Sequence, residues 1–312
     1  MKNNILIIKH GALGDIILAG SAMQAIREFN KDSYIVCLTG KTYAEILKNS
    51  PYIDEVVIDF KPRWYDIKGW INLKNLFMKF SFTHVYDLQT SYRSNIYFYL
   101  FYSFSKTKWC GIAYGCKYRH SNINRKKMHT YYRQKDQLYK CGINYEYYPD
   151  WSWLTINYKN DFLLPKKDFA LIVPGAAFHR KGKKWSKDGY VNLINNLSKN
   201  GVTSLLLGSF SEKKYINDII SAVKNNIKFK PQNYAGKTSF KDIAYLSCHA
   251  RFAIGNDTGP IHLIASTNLK TIVLFGPESD PKLCAPLGNN VKIIQKKDLQ
   301  LIQVHEILKD LF

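Results

Sequence analysis

The run Gly255-Asn256-Asp257-Thr258-Gly259-Pro260-Ile261-His262 gathers groups suited to holding an anion. It follows the apolar Arg251-Phe252-Ala253-Ile254, which reads as a strand, and precedes Leu263-Ile264-Ala265-Ser266, which reads as a helix start. A strand that ends at Gly-Asn-Asp and restarts as a helix at Thr-Gly-Pro presents backbone N–H donors at the positive end of a helix dipole. Pro260 fits near the first helical position, where its missing N–H is not needed. Taken alone, the run reads equally well as a capped strand-to-helix turn.

Other residues add chemistry to that turn. Lys9-His10-Gly11-Ala12-Leu13-Gly14-Asp15 follows the first apolar run. Its G-x-x-G is not G-x-G-x-x-G and no P-loop lysine follows, so dinucleotide and Walker readings are weak. Asp15 opens the next helix, either as an ordinary capping acid or as a carboxylate at a cleft, able to take a proton from a substrate hydroxyl. In the second half, Pro174-Gly175-Ala176-Ala177 ends a strand. The segment Phe178-His179-Arg180-Lys181-Gly182-Lys183-Lys184-Trp185 then brings four cations into a short loop. Leu207-Gly208-Ser209 ends the following strand with Glu212 just beyond, a carboxylate that suits either ribose hydroxyls or a helix cap. Phe275-Gly276-Pro277-Glu278-Ser279-Asp280-Pro281 ends a later one. These groups suit a nucleotide diphosphate. No D-x-D occurs, so a carboxylate-held divalent ion has no obvious ligands, and Lys, Arg and helix N–H groups would neutralise the diphosphate instead.

The elements that must position these groups alternate strand and helix. Ile5–Ile8, Tyr34–Leu38, Glu55–Ile58 and Val85–Leu88 read as strands, with helical patterns over Asp15–Phe29, Tyr43–Lys48 and Ile71–Phe80 between them. From about Trp109 to Pro165 the periodicity weakens. This middle reads as long loops with one helix around Gln134–Cys141, then a connection between domains. Alternation resumes with strands at Phe169–Val173, Ser204–Gly208, the run into Asp257 and Thr271–Phe275. Helices are expected over Gly189–Asn200, Glu212–Lys224, after Ser239 and over Val304–Phe312. The expected fold is α/β, two doubly wound parallel-sheet domains covering 1–160 and 161–312. The last helix is allowed to pack back on the first domain, and ligands bind in a cleft at the strands' C-terminal ends.

Composition narrows the class. At 312 residues with 46% hydrophobic content, the chain can build two cores. Lys and Arg outnumber Asp and Glu by 45 to 24, a formal charge of +21 that favours an anionic partner. No zinc finger or ribonucleoprotein motif accompanies the charge, so no specific nucleic acid is expected. Six scattered cysteines without C-x-x-C, and no secretory leader pattern, fit free thiols in a cytoplasm. Cys110, Cys116 and His120 match no common zinc spacing. Ile96–Phe104 is too short to span a membrane and reads as a core helix or a surface-docking patch.

Together these motifs resemble bacterial glycosyltransferase family 9, the ADP-heptose:lipopolysaccharide heptosyltransferases, over nearly the whole chain. The anchors are Ile8-Lys9-His10-Gly11-Ala12-Leu13-Gly14-Asp15, Pro174-Gly175 with Lys183-Lys184-Trp185, the 255–262 run, and Leu274-Phe275-Gly276-Pro277 with Asp280-Pro281. The resemblance implies a GT-B architecture of two Rossmann-like domains facing a central cleft, the first binding acceptor and the second ADP-sugar. It implies metal-independent, inverting transfer of a sugar, heptose from ADP-heptose, to a lipopolysaccharide-core or related cell-surface glycan. ADP-sugar is then a co-substrate, with no cofactor. By resemblance Asp15 matches the general base, Lys183 the lysine on the donor phosphates and Glu212 the ribose acid, while Asp257, Thr258 and Gly259 match the donor-binding turn. Lys184, Gly208 and His262 join the donor candidates; His10, Gly14, Gln89, Arg93 and Asp280 are candidates for acceptor or cleft contacts. The implied acceptor is an anionic, lipid-linked glycan, which places the protein in the cytoplasm, peripheral to the cytoplasmic face of the inner membrane. Segment 87–93 and the basic 119–140 region read as its own acceptor surface. The alternatives are a nucleotide-sugar epimerase on the same scaffold, a basic nucleic-acid-binding protein, and a donor-binding homologue without activity. An epimerase needs acid and base on both sides of the sugar, and only Asp15 is obvious.

Overall fold

Short runs of Ile, Val and Leu without polar alternation form parallel strands buried on both faces. The computed structural model describes residues 3–102, 105–159, 164–176 and 180–312, the side chain of Lys181 excepted. The chain divides into two compact units, Met1–Tyr147 and Tyr148–Phe312.

In the first unit, β1 (Asn4–Ile8), β2 (Tyr34–Thr39), β3 (Glu55–Ile58), β4 (His84–Asp87), β5 (Lys108–Gly111) and β6 (Tyr118–Arg119) form one parallel sheet in the order β3-β2-β1-β4-β5-β6. The helices are α1 (Leu13–Leu18), α2 (Gly20–Phe29), α3 (Lys41–Leu47), α4 (Ile67–Phe80), α5 (Tyr92–Tyr97) and α6 (Thr130–Tyr139), with a π-turn at Phe98–Tyr102. Leu6, Ile8, Val36 and Leu38 of the sheet pack with Leu73, Phe77 and Phe80 of α4 and with Tyr97 and Trp109.

The second unit repeats the plan. Strands β7 (Phe169–Val173), β8 (Thr203–Leu206), β9 (Gln232–Asn233), β10 (Phe252–Asn256), β11 (Thr271–Phe275) and β12 (Val291–Gln295) lie parallel in the order β12-β11-β10-β7-β8-β9. Its helices are α7 (Lys187–Lys199), α8 (Lys213–Ser221), α9 (Phe240–His249), α10 (Gly259–Ala265), α11 (Pro281–Cys284) and α12 (Val304–Leu308). Counted from its own first strand, each sheet runs 3-2-1-4-5-6, the Rossmann order, and both reverse direction between the unit's first and fourth strands. That switch point is where such sheets hold ligands, so topology alone selects the loops after β1 and β4 and after β7 and β10.

Several expected elements change. The region read as long loops contains β5 and β6. Each is too short to show a period, and β5 is buried by Trp109, Cys110 and Gly111. The Asp15–Phe29 helix breaks at Ala19 into α1 and α2. Strands β9 and β12 carry no strand signal in the sequence, β9 because it has only two residues and β12 because Lys292 and Gln295 interrupt its apolar run. The units divide thirteen residues before the boundary drawn at 160, and Trp151 gives the reason. Its side chain is buried, its backbone N–H donates to Ser266 O at 3.1 Å, and Tyr158 Oη donates to Asp242 Oδ1. Ile307 of α12 and the following Leu311 join the second unit's own core.

Candidate active site

In the second unit, β10 ends at Asn256, whose fully buried amide makes four hydrogen bonds. Its Nδ2 donates to Pro174 O at 2.8 Å and Gly175 O at 3.2 Å; its Oδ1 accepts from Trp185 N at 3.2 Å and Tyr190 Oη at 2.9 Å. One side chain thus ties the switch-point strands to the basic loop and to α7. Asp257 follows on the β10 end. Lys183 Nζ lies 2.5 Å from its Oδ2 and His262 Nε2 3.5 Å from its Oδ1. Burial pushes the Asp257 carboxyl up, but hydrogen bonds from His262 and Lys183 outweigh it and bring it down to about 2. Thr258 is the extended N-cap of α10, its hydroxyl donating to Asn256 O rather than capping, and Pro260 stands in the first turn. His262 Nδ1 is buried without a hydrogen-bond partner among the described residues.

The neighbouring lysine goes elsewhere. Lys184 Nζ sits 5.0 Å from the centre of the Tyr215 ring, while its carbonyl accepts from Gln300. Ala177, Phe178 and His179 of the same expected loop lie outside the described residues. Gly182 N donates to Glu278 Oε1 at 2.9 Å, fastening the loop to the segment after β11. Glu212 does what a capping acid does, accepting from Ser209 N at 2.7 Å and Ser209 Oγ at 2.8 Å. It also presses on the strand ends: a Cβ built on Gly175 would stand 1.7 Å from Glu212 Oε1, and one on Gly208 3.2 Å from Oε2. Any side chain at 175 would therefore have to push this carboxylate aside. Asp280 is exposed and caps α11 through Lys282 N.

In the first unit the switch point holds Lys9 and His10 after β1 and Leu88 and Gln89 after β4. Asp15 is not an N-cap but the third residue of α1, and its Oδ2 accepts from Ala12 N at 3.2 Å. Gly11 has φ +132°, and a Cβ there would strike the Tyr43 ring. Gly14 lies within α1, whose Leu13, Ile16 and Ile17 are buried. Around Asp15 the structure gathers cations that the motifs did not single out one by one. Lys9 is buried with its Nζ 3.4 Å from Leu88 O; burial lowers its pKa, and Asp15 and Asp87 oppose the shift. Burial likewise lowers Arg133, again opposed by Asp15. Arg125 donates to Thr90 Oγ1 at 2.8 Å and to His120 Nδ1. Burial also lifts the Asp87 carboxyl to about 6.

The remaining acceptor candidates separate into two groups. Gln89 Oε1 accepts from His10 N at 2.9 Å, and His10 Nε2 lies 2.8 Å from Asp59 Oδ2, which also accepts from Tyr97 Oη at 2.6 Å. Arg93 is turned toward the 60–66 loop, donating to Pro62 O at 3.2 Å with its guanidinium 6.0 Å from the Trp70 ring centre. Cys110 and His120, whose spacing with Cys116 matches no common zinc pattern, make other contacts: Cys110 Sγ contacts Gln137 O and His120 Nε2 lies 2.8 Å from Asp136 Oδ2.

Two Rossmann-order sheets in one chain, each with charged loops at its switch point, define a two-domain α/β protein of the nucleotide-handling class. Residues 78–307 match the family model for glycosyltransferase family 9 (heptosyltransferase). A lipopolysaccharide core heptosyltransferase from Haemophilus influenzae is 22% identical over 95% of this chain and 86% of its own length. The same organism's lipooligosaccharide heptosyltransferase 2 is 29% identical over 47% of this chain and 42% of its own length. The fold is that of the Escherichia coli ADP-heptose lipopolysaccharide heptosyltransferase II, with a TM-score of 0.79 over 100% of this chain and 97% of that one, at 18% identity. The chain belongs to glycosyltransferase family 9.

Proposed function

We propose that this glycosyltransferase moves a heptosyl group from ADP-heptose to a hydroxyl of an anionic, lipid-linked lipopolysaccharide-core glycan, with inversion and without a metal ion. The observation that carries the reading is the Lys183–Asp257–His262 assembly on the β10 end, beside the Thr258-Gly259 start of α10. Lys183 and the turn's N–H groups take the diphosphate, whose charge rises as the bond to the sugar breaks. Donors fixed beforehand act most strongly on charge that peaks in the transition state. Glu212, held against Gly175 and Gly208, accepts the ribose hydroxyls. Asp15 removes the proton from the acceptor hydroxyl as that oxygen attacks the anomeric carbon from the face opposite the leaving ADP. Lys9, Arg125 and Arg133 suit acidic groups on the acceptor. The acceptor places the enzyme at the cytoplasmic face of the inner membrane. Among the described residues no helix is long and apolar enough to cross it.

Family membership decides against an epimerase. A panel of ADP-, UDP- and GDP-sugars read by thermal shift, followed by transfer assays with the best donor, tests the donor assignment. ADP-heptose should raise the melting temperature saturably and support transfer. Preference for a UDP-sugar would overturn it. So would binding to nucleic acid that weakens steeply with salt in place of any ADP response.

A further inference from the structure

Between β3 and the middle of α4 the sequence reads Phe60-Lys61-Pro62-Arg63-Trp64-Tyr65-Asp66-Ile67-Lys68-Gly69-Trp70-Ile71. Its large apolar side chains are not folded inward: Trp64 is 88% exposed, Phe60 84% and Ile67 72%, with Tyr65, Ile71 and Met78 also exposed. The exposure belongs to a well-supported shape. Trp70 Nε1 donates to Arg63 O at 3.0 Å, Arg93 to Pro62 O at 3.2 Å, Lys61 N to Asp59 Oδ1 at 2.7 Å and Arg63 to Tyr65 Oη at 2.6 Å. Pro62 is buried beneath the loop.

Lys61, Arg63, Lys68, Lys74 and Lys79 lie among these aromatics and aliphatics. The sole acid over 60–80 is Asp66, which is occupied in capping α4 through Gly69 N at 2.8 Å. The solvent face of α4 consists of Ile67, Lys68, Ile71, Asn72, Lys74, Asn75, Met78 and Lys79. A cavity of about 700 Å³ opens beside the loop, walled by Val56, Ile58, Phe60, Pro62, Leu73 and Leu76.

We infer that the Phe60–Asp66 loop and the outer face of α4 form a docking surface for an anionic lipid bilayer. The inference rests on the reading of the acceptor as lipid-linked. Aromatic rings at the headgroup level, with lysines reaching past them to lipid phosphates, are the chemistry of an interfacial helix. Protein interfaces instead deplete lysine where aromatics concentrate. Two copies of this surface would set like charges against each other. Arg93, in the first turn of α5 and four residues beyond Gln89, joins the surface to the switch-point loop by holding the 60–66 loop through Pro62 O.

The test is co-sedimentation of the full chain with phosphatidylglycerol-containing vesicles and with neutral phosphatidylcholine vesicles. Alongside wild type run the double variants Phe60→Ser/Trp64→Ser and Lys68→Glu/Lys74→Glu, whose exposed sites leave the fold intact by circular dichroism. Wild type should prefer anionic vesicles, and each double variant should lose about tenfold or more in vesicle affinity. Turnover of a deacylated, soluble acceptor should stay unchanged in both, while turnover of the vesicle-borne acceptor falls. Vesicle binding equal to wild type in both variants would overturn the proposal, as would a concentration-dependent dimer that the same variants dissociate. Absence of turnover with either acceptor, with the vesicle difference intact, would overturn the transferase reading and uphold the docking surface.

Discussion

Asp257 shows how one residue serves both fold and site. Its carboxyl is held at about 2, below the ordinary 3.8, so the stabilisation it lends is fully present above about pH 4 and is lost as pH falls from there to 2. Asp257→Asn should cost about 2 kcal/mol at neutral pH and flatten stability over that acid window, as measured by urea unfolding at several pH values. The two adjacent lysines should behave differently. Lys183→Ala should weaken ADP by about tenfold or more, whereas Lys184→Ala, which removes an ammonium placed over Tyr215, should change it by less than about threefold. Titration calorimetry separates them, and equal losses would assign the phosphate contact wrongly. Gly175→Ala must displace Glu212 and should weaken ADP by about tenfold with the fold intact. At this scale the sequence was informative where chemistry is local. Asp257, Thr258 and His262 fall within one six-residue run, so their common turn could be read. Asn256 stands in the same run, but its role depends on Pro174, Gly175, Trp185 and Tyr190, which no spacing brings together. Arg125 and Arg133 were legible only as part of the basic 119–140 region, and the placing of Lys9 beside Asp15 was not, for the same reason.

At the scale of elements, long buried strands announced themselves and short ones did not. β1, β7 and β11 are continuous apolar runs, whereas β6 and β9 have two residues each and owe their existence to their neighbours. Ser239 capping α9 with Asp242 is a start signal visible in sequence; the break at Ala19 between α1 and α2 has only the weaker signal of Gly20. The docking of Trp151 onto Ser266 moves the boundary between units because a tertiary contact, not composition, decides where the connector ends. Asn256 is the element-scale counterpart in the second unit. Asn256→Ala leaves four buried partners unmatched and should lower that unit's stability by about 3 kcal/mol or more, read as a lower denaturation midpoint. Loss of under about 1 kcal/mol would mean that the loop after β7 is held by other contacts.

Over the whole molecule, two copies of one topology carry different charges at equivalent places. The second unit sets an ion pair and helix N–H groups at its switch point, the first a carboxylate near the buried Lys9 and the half-buried Arg133. The repeated strand order gives each unit an equivalent switch-point edge; the proposed split of acceptor and donor between those edges came from the family resemblance, not from the alternating pattern. The formal charge of +21 pointed to an anionic partner without separating nucleotide, glycan and bilayer. Among the described cations, Lys183 pairs with Asp257, Lys9 and Arg133 lie near Asp15, and Lys61, Lys68, Lys74 and Lys79 stand in and around α4. The central claim is that the first unit supplies the base while the second holds the donor. It is tested most directly by the transfer rate of Asp15→Asn at saturating ADP-heptose and acceptor. The rate should fall by about a thousandfold with ADP affinity within about twofold of wild type. Transfer within tenfold of wild type would contradict it.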